Sequence, residues 1–244
     1  LIAEAVTQFQ AQAYKELLPS SGPVRTQVVG ASTPDVEMQS QRVQEFMNFQ
    51  IMNVMDEYDP EMDRLLFYLP LAGSAFKKVY FDDMLDRAVS KFVPADDLLV
   101  PYNATDLSSA SRVTHVIRMN TNDVRKNQAA GFYRDIDILA YTDDDEVRQK
   151  ERELQGIEQG GGDNQDCTLL EIHTDLDLPG FEHVSPIDGE ETGIKLPYIV
   201  TVDEGSSKVL AIRRNWKEGD EYYKKMQYFS HYKFLPGLGF YGFG

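Results

Sequence analysis

The sequence predicts an α+β fold, with helices at the N-terminal end followed by a β-rich region built from hairpins. Three observations predict it. Apolar residues recur at the 3.6-residue helical spacing up to about residue 75. The spacing changes to two after Gly73. Glu204-Gly205-Ser206-Ser207 then sits between two extended apolar runs, as a hairpin turn does. With 42% hydrophobic and 26% charged residues over 244 positions, the chain has a globular composition and the length for a sizeable core.

The first helix is expected over Ile2–Leu18, where Ala, Gln and Glu dominate, and Pro19-Ser20-Ser21-Gly22-Pro23 ends it. A second starts near Asp35. Its residues Val43, Phe46, Met47, Ile51, Val54, Met55 and Tyr58 share one face, while Phe49 and Met52 lie off it, so it is expected to be covered on more than one side. Asp59-Pro60-Glu61 supplies a cap, a first-position proline and a first-turn acid for a third helix from Glu61 to about Ala75. Pro70 is expected to kink or break it.

Phe76–Phe81 and Ala88–Val93 read as paired strands about an Asp82-Asp83 turn, and Asp97–Tyr102 and Arg112–Met119 as further strands. Thr121-Asn122-Asp123 caps a short helix that Gly131 ends. Asp143–Ile157 is highly charged and leads to Gly160-Gly161-Gly162, a candidate mobile insertion. From Thr168 the pattern is nearly all β: a strand through Leu178, the hairpin Pro197–Val202 with Val209–Asn215, and a last long strand Glu221–Phe234. The expected divisions are residues 1–81, mostly helical; 82–142, mixed; 143–167, the charged insertion; and 168–244, β-rich.

The net charge of −16 is uneven. Asp135–Glu191 holds 18 Asp and Glu against three bases, whereas Lys208–Lys233 holds seven bases against three acids. An acidic surface repels a polyanion and leaves it free to move, whereas a basic one binds it by releasing counterions. Cys167 is the only cysteine, which excludes an internal disulfide and fits a reducing compartment. No apolar run reaches the roughly 20 residues of a membrane-spanning helix, and no membrane partner is expected.

Signals for catalysis are weak. There is no G-x-S-x-G elbow, and the glycine triplet lacks the Lys and Ser/Thr of a phosphate loop. Gly237-Leu238-Gly239-Phe240-Tyr241-Gly242 matches G-x-G-x-x-G, but Phe240 and Tyr241 would crowd a pyrophosphate. Glu171, His173, Asp175 and Asp177 alternate along one strand, about 7 Å apart from one to the next, on a face expected to be solvated. They carry the alternative reading, a metal-dependent hydrolase, although a metal site gathers ligands from several elements rather than one row. His115 and His231 lie inside apolar strands and His183 in a loop. The expectation is a protein that is not an enzyme and takes no cofactor or metal.

The segment Tyr232–Gly244 (YKFLPGLGFYGFG) is glycine- and aromatic-rich, with no charge after Lys233. Together with Leu1 in place of Met, it reads as the edge of an excised piece of a longer polypeptide. Pro236, Gly237, Gly239 and Gly242 form a candidate joint, with Phe234, Leu235, Phe240, Tyr241 and Phe243 expected to pack against helices beyond the piece.

Three segments, Leu69–Tyr80 (LPLAGSAFKKVY), Lys91–Tyr102 (KFVPADDLLVPY) and Tyr232–Gly244, together resemble the portal proteins of short-tailed bacteriophages. The first resembles that family's step from helix through small-residue turn to strand. The second resembles its following strand pair, and the third its linker into a helical region. The charged stretch 143–166 resembles no motif. The resemblance implies an N-terminal fragment with wing-, stem- or clip-like parts, in a virion protein that is not an enzyme. Such proteins form a ring, usually of twelve copies, at one capsid vertex. The ring is the channel for double-stranded DNA during packaging and ejection, and it docks terminase, the tail adaptor and capsid proteins. On this reading Asp143, Asp144, Asp145, Glu171, Asp175 and Asp177 are candidates to face the channel or motor, and Arg213, Arg214, Lys224 and Lys225 are candidate bases at a subunit interface. A tail or head-completion adaptor, also ring-forming, is a further possibility of the same class.

Overall fold

A computed structural model describes residues 1–138, 150, 166–185 and 188–244. The charged insertion, with Asp143, Asp144 and Asp145, lies outside the described residues. The fold is α+β, with helices first and then two antiparallel sheets. It divides into two units, Leu1–Asp96 with Tyr228–Gly244, and Asp97–Gln227. The chain's end thus returns to the first unit.

In the first unit, helix α1 (Ile2–Leu17) lays Phe9, Ala13 and Tyr14 against Met62, Leu65, Leu66 and Leu69 of helix α3 (Tyr58–Ala72). Between them in sequence, helix α2 (Pro34–Phe49) starts at Thr33, whose side chain accepts the Val36 N–H, and continues into a π-helical turn, Gln50–Val54. The expected cover over α2 is missing: none of its residues is buried. Apolar periodicity marks a face that prefers to be covered but does not supply the covering element.

Helix α3 begins one residue before Asp59, which does not cap it and instead accepts the Tyr14 hydroxyl at 2.5 Å. Pro70 does not break α3. It stands in the last turn, where a lost N–H costs one bond, and the helix runs on to Ala72 before Gly73 closes it in the left-handed conformation. Strands β1 (Ser74–Asp82) and β2 (Arg87–Pro94) follow as a hairpin, with Phe76 opposite Val93. The sheet order is β2-β1-β8, where β8 is Phe229–Lys233.

The second unit is a five-stranded sheet in the order β3-β4-β5-β6-β7. Its strands are β3 (Leu98–Leu99), β4 (Arg112–Asn120), β5 (Asp166–Leu176), β6 (Leu196–Asp203) and β7 (Lys208–Arg214). Helix α4 (Thr121–Ala129) is capped by the Asn120 side chain, and its Val124 packs with Cys167, Leu169 and Leu210 in the core. The expected strand Asp97–Tyr102 shrinks to two residues. The expected long strand Glu221–Phe234 also fails. Asp220 Oδ1 and Oδ2 accept the N–H groups of Tyr222 and Lys224, and Tyr223 has φ +49°, so the backbone turns there and extends only from Phe229. Among the described residues no helix is long and apolar enough to cross a membrane.

Candidate functional site

Two arrangements stand out in the first unit. The first is the joint. β8 pairs with β1, setting Tyr232 opposite Ala75 and Lys233 opposite Ser74, and the chain then doubles back so that Leu235 and Phe243 pair antiparallel. Ser74 Oγ accepts the Gly242 N–H at 2.8 Å, leaving its own proton for His231 Nε2 at 3.1 Å. Phe76, His231 and Phe240 stack, with centroids 4.4 and 4.8 Å apart. Burial, and then the nearby Lys233, push the His231 imidazole down to about 4, so it is neutral at pH 7.

Glycine is required where the backbones meet. Gly73 has φ +74°, and a Cβ there would lie 2.4 Å from the Phe243 carbonyl carbon. A Cβ at Gly242 would lie 2.5 Å from the Gly73 oxygen. Of the other joint residues, Gly237 approaches the Tyr241 oxygen, Gly239 has open space around it, and Pro236 is exposed. The expectation that all the joint aromatics wait for outside helices is corrected for Phe240. It is 5% exposed because the segment folds back onto β1.

The second arrangement joins α3 to the free edge of β2. Glu57 Oε1 accepts the Ser90 N–H at 3.2 Å and the Arg87 guanidinium at 2.9 Å. One turn on, Glu61 Oε2 accepts the Phe92 N–H at 2.7 Å. Burial alone would raise the Glu57 pKa, but the Arg87 and Ser90 hydrogen bonds outweigh it and hold the carboxyl below its ordinary value. Lys77 is 3% exposed, with Nζ 3.7 Å above the centre of the Tyr58 ring. Burial lowers its pKa to about 8, against the opposing pull of Glu61 and Glu57. Sequence reasoning missed this cluster. The spacing of Glu57 and Glu61 does place them on one helical face, but nothing local says that a strand edge lies opposite.

In the second unit, β5 turns the expected faces over. His173 is buried at 3% exposure, and its Nε2 lies 2.8 Å from Glu171 Oε1, whose side chain is 17% exposed. The solvated acidic face therefore does not exist at these two positions. The reason is that β5 lies mid-sheet and its odd-numbered residues Cys167 and Leu169 pack under α4 with Tyr133, Ile136 and Ile138. Asp175 and Asp177 are exposed as expected. Among the described residues no three His, Cys, Asp or Glu side chains gather where they could hold a metal.

The four candidate bases do not all share one face. Arg213 and Arg214 are successive on β7 and point to opposite faces, their guanidinium carbons 5.3 Å from the Phe132 ring and 5.8 Å from the Trp216 ring. Lys224 lies 5.6 Å over Tyr222, and Lys225 Nζ donates to the Ala110 oxygen at 3.4 Å. An open cleft of about 690 Å³ lies beside this loop, lined by Ser108, Ser111, Asp175, His183, Lys195 and Tyr223 among others. His183 Nδ1 lies 2.7 Å from the Thr192 hydroxyl, and its ring meets Tyr223 edge-on at 5.1 Å.

No family model matches this chain, and comparison with curated proteins gives no significant match.

Proposed function

We propose that this chain is part of a bacteriophage portal subunit, a structural protein that forms a ring at one capsid vertex and serves as the channel for DNA packaging and ejection. One observation carries the reading. The first portal-like segment forms a local hairpin with the start of the second, Lys91–Pro94, and the third, about 150 positions on in the chain, is hydrogen-bonded to the same strand within the first unit. Lys77 and Lys78 of the first pair with Phe92 and Lys91 of the second, and Ser74 and Ala75 pair with Lys233 and Tyr232 of the third. Gly73 and Gly242 then lock the helix-to-strand step onto the glycine-aromatic linker. A chance likeness of the third segment, distant in sequence, has no reason to bring it onto the first.

On this reading the subunit's partners are its own copies, double-stranded DNA held without sequence preference, terminase, and tail-adaptor and capsid proteins. The exposed Asp175 and Asp177 and the net charge of −16 suit a surface past which DNA slides. The test is native mass measurement and end-on electron microscopy of the full-length protein that carries this chain. A closed ring with a central channel is the expected result, and a monomer across the micromolar range overturns the proposal.

A further inference from the structure

Helix α2 is built with its amphipathic faces reversed. The residues it turns toward its own chain are polar. Asn48 exchanges two hydrogen bonds with the Val24 backbone, at 2.9 and 3.1 Å, and Gln44 Oε1 accepts the Thr26 N–H at 3.1 Å. Ser40, one turn earlier, bonds the Thr26 hydroxyl. The apolar residues face outward, with Met38 57%, Phe46 62% and Phe49 54% exposed. A lone helix with this pattern is soluble only at a large hydrophobic cost, which a partner's surface would remove.

Arg42 stands in the middle of the outward stripe, four residues from both Met38 and Phe46, and has no ionic partner among the described residues. Glu45 and Glu37 on the same helix accept from the neutral Gln41 at 2.9 Å and Ser32 at 2.5 Å, and neither is ion-paired with Arg42. The same unit carries a patch of opposite character at the tip of the β1–β2 hairpin. There Met84 and Leu85 are 55% and 56% exposed, and Asp82 fixes the turn by accepting both their N–H groups. Asp83 and Asp86 flank them, exposed and without ionic partners among the described residues. An apolar stripe centred on an unpaired cation thus exists alongside an apolar tip bracketed by unpaired anions.

We infer that the outer face of α2 docks on the β1–β2 hairpin tip of a second copy of this chain, with Arg42 set between the partner's Asp83 and Asp86. Because the two patches differ, the contact is heterologous and repeats from copy to copy, closing into a ring when the rotation allows. Closure of that ring rests on the portal reading above; the contact itself does not.

The test is a charge exchange in the full-length protein, read as association by sedimentation and native mass at low salt. Arg42→Glu alone, or Asp83→Lys with Asp86→Lys, is expected to weaken association roughly tenfold or more, and the triple variant to recover most of it. Phe46→Ser is expected to weaken association at any salt concentration. All of these sites are exposed, and unchanged circular dichroism confirms folding. If the wild type forms rings and none of these variants alters them, this contact is wrong and the portal reading stands. If the variants act as expected but the wild type stops at open oligomers, the contact stands and the ring is wrong. A wild type that never associates overturns both.

Discussion

Glu61 Oε2 accepts the backbone N–H of Phe92 at 2.7 Å, so a helix carboxylate closes a strand edge that would otherwise be open. With Glu57, just before the helix, doing the same for Ser90 one turn earlier, the start of α3 occupies two outward donors of edge strand β2. An open edge invites pairing with other chains, and charged groups placed along it prevent that.

Glu61→Gln keeps the shape and removes the charge. Hydrogen bonds to charged acceptors are worth about 1.5–3 kcal/mol, so a loss of about 1–2 kcal/mol is expected in urea unfolding. Amide exchange should quicken at Phe92 more than at Lys91, whose N–H is not held by α3. Equal protection in both proteins would show that the bond contributes nothing.

Lys77 makes stability rise with alkaline pH. Its pKa is about 8 folded, against the ordinary 10.5 unfolded, so between those values the unfolded chain binds more protons. The slope from this group approaches about 1.4 kcal/mol per pH unit within that window. Lys77→Met should lack this component while tyrosine ionisation affects both proteins alike. Parallel stability curves for the two from pH 8 to 10 would contradict the burial argument.

His231 gives the acid counterpart. Its folded pKa of about 4 lies below the ordinary 6.5, so its contribution is present above 6.5 and is lost as pH falls toward 4. Allowing for partial exposure, the loss is about 1–2 kcal/mol. His231→Phe can keep the stack with Phe76 and Phe240, and its melting temperature should fall less between pH 7 and 4 than that of the wild type.

Gly73→Ala meets both a left-handed backbone and the Phe243 carbonyl carbon. Strain of this kind costs about 1–3 kcal/mol. The clash should release the Leu235–Phe243 pairing first, so limited proteolysis within residues 235–244 is expected to speed up more than cleavage elsewhere. Gly239→Ala, with open space around it, is the control that should behave like wild type.

The local signals in the sequence were enough for most elements. Helix α1, the β1–β2 hairpin, β4, α4 and the β6–β7 hairpin are set by apolar spacing, caps and turn residues within a few positions, and they stand within a residue or two of expectation. The failures share a cause. The run before Phe229 has strand-like composition, but Asp220 captures its N–H groups and bends it. Asp59-Pro60 looks like a helix start, but after a break at Met55 the helix α3 already begins at Tyr58, with Glu57 in the cap position.

What sequence could not determine is which surfaces meet. Alternation along β5 says that its two faces differ, and only its place between β4 and β6, under α4, makes Glu171 and His173 an interior pair rather than a wet row. The joint residues were legible as a turn, but their partner, Ser74, is more than 150 positions away in sequence. Periodicity and capping are short-range and are written in neighbouring residues. Strand pairing and burial are long-range, decided by which contacts together bury the most apolar surface while leaving the fewest backbone donors unpaired.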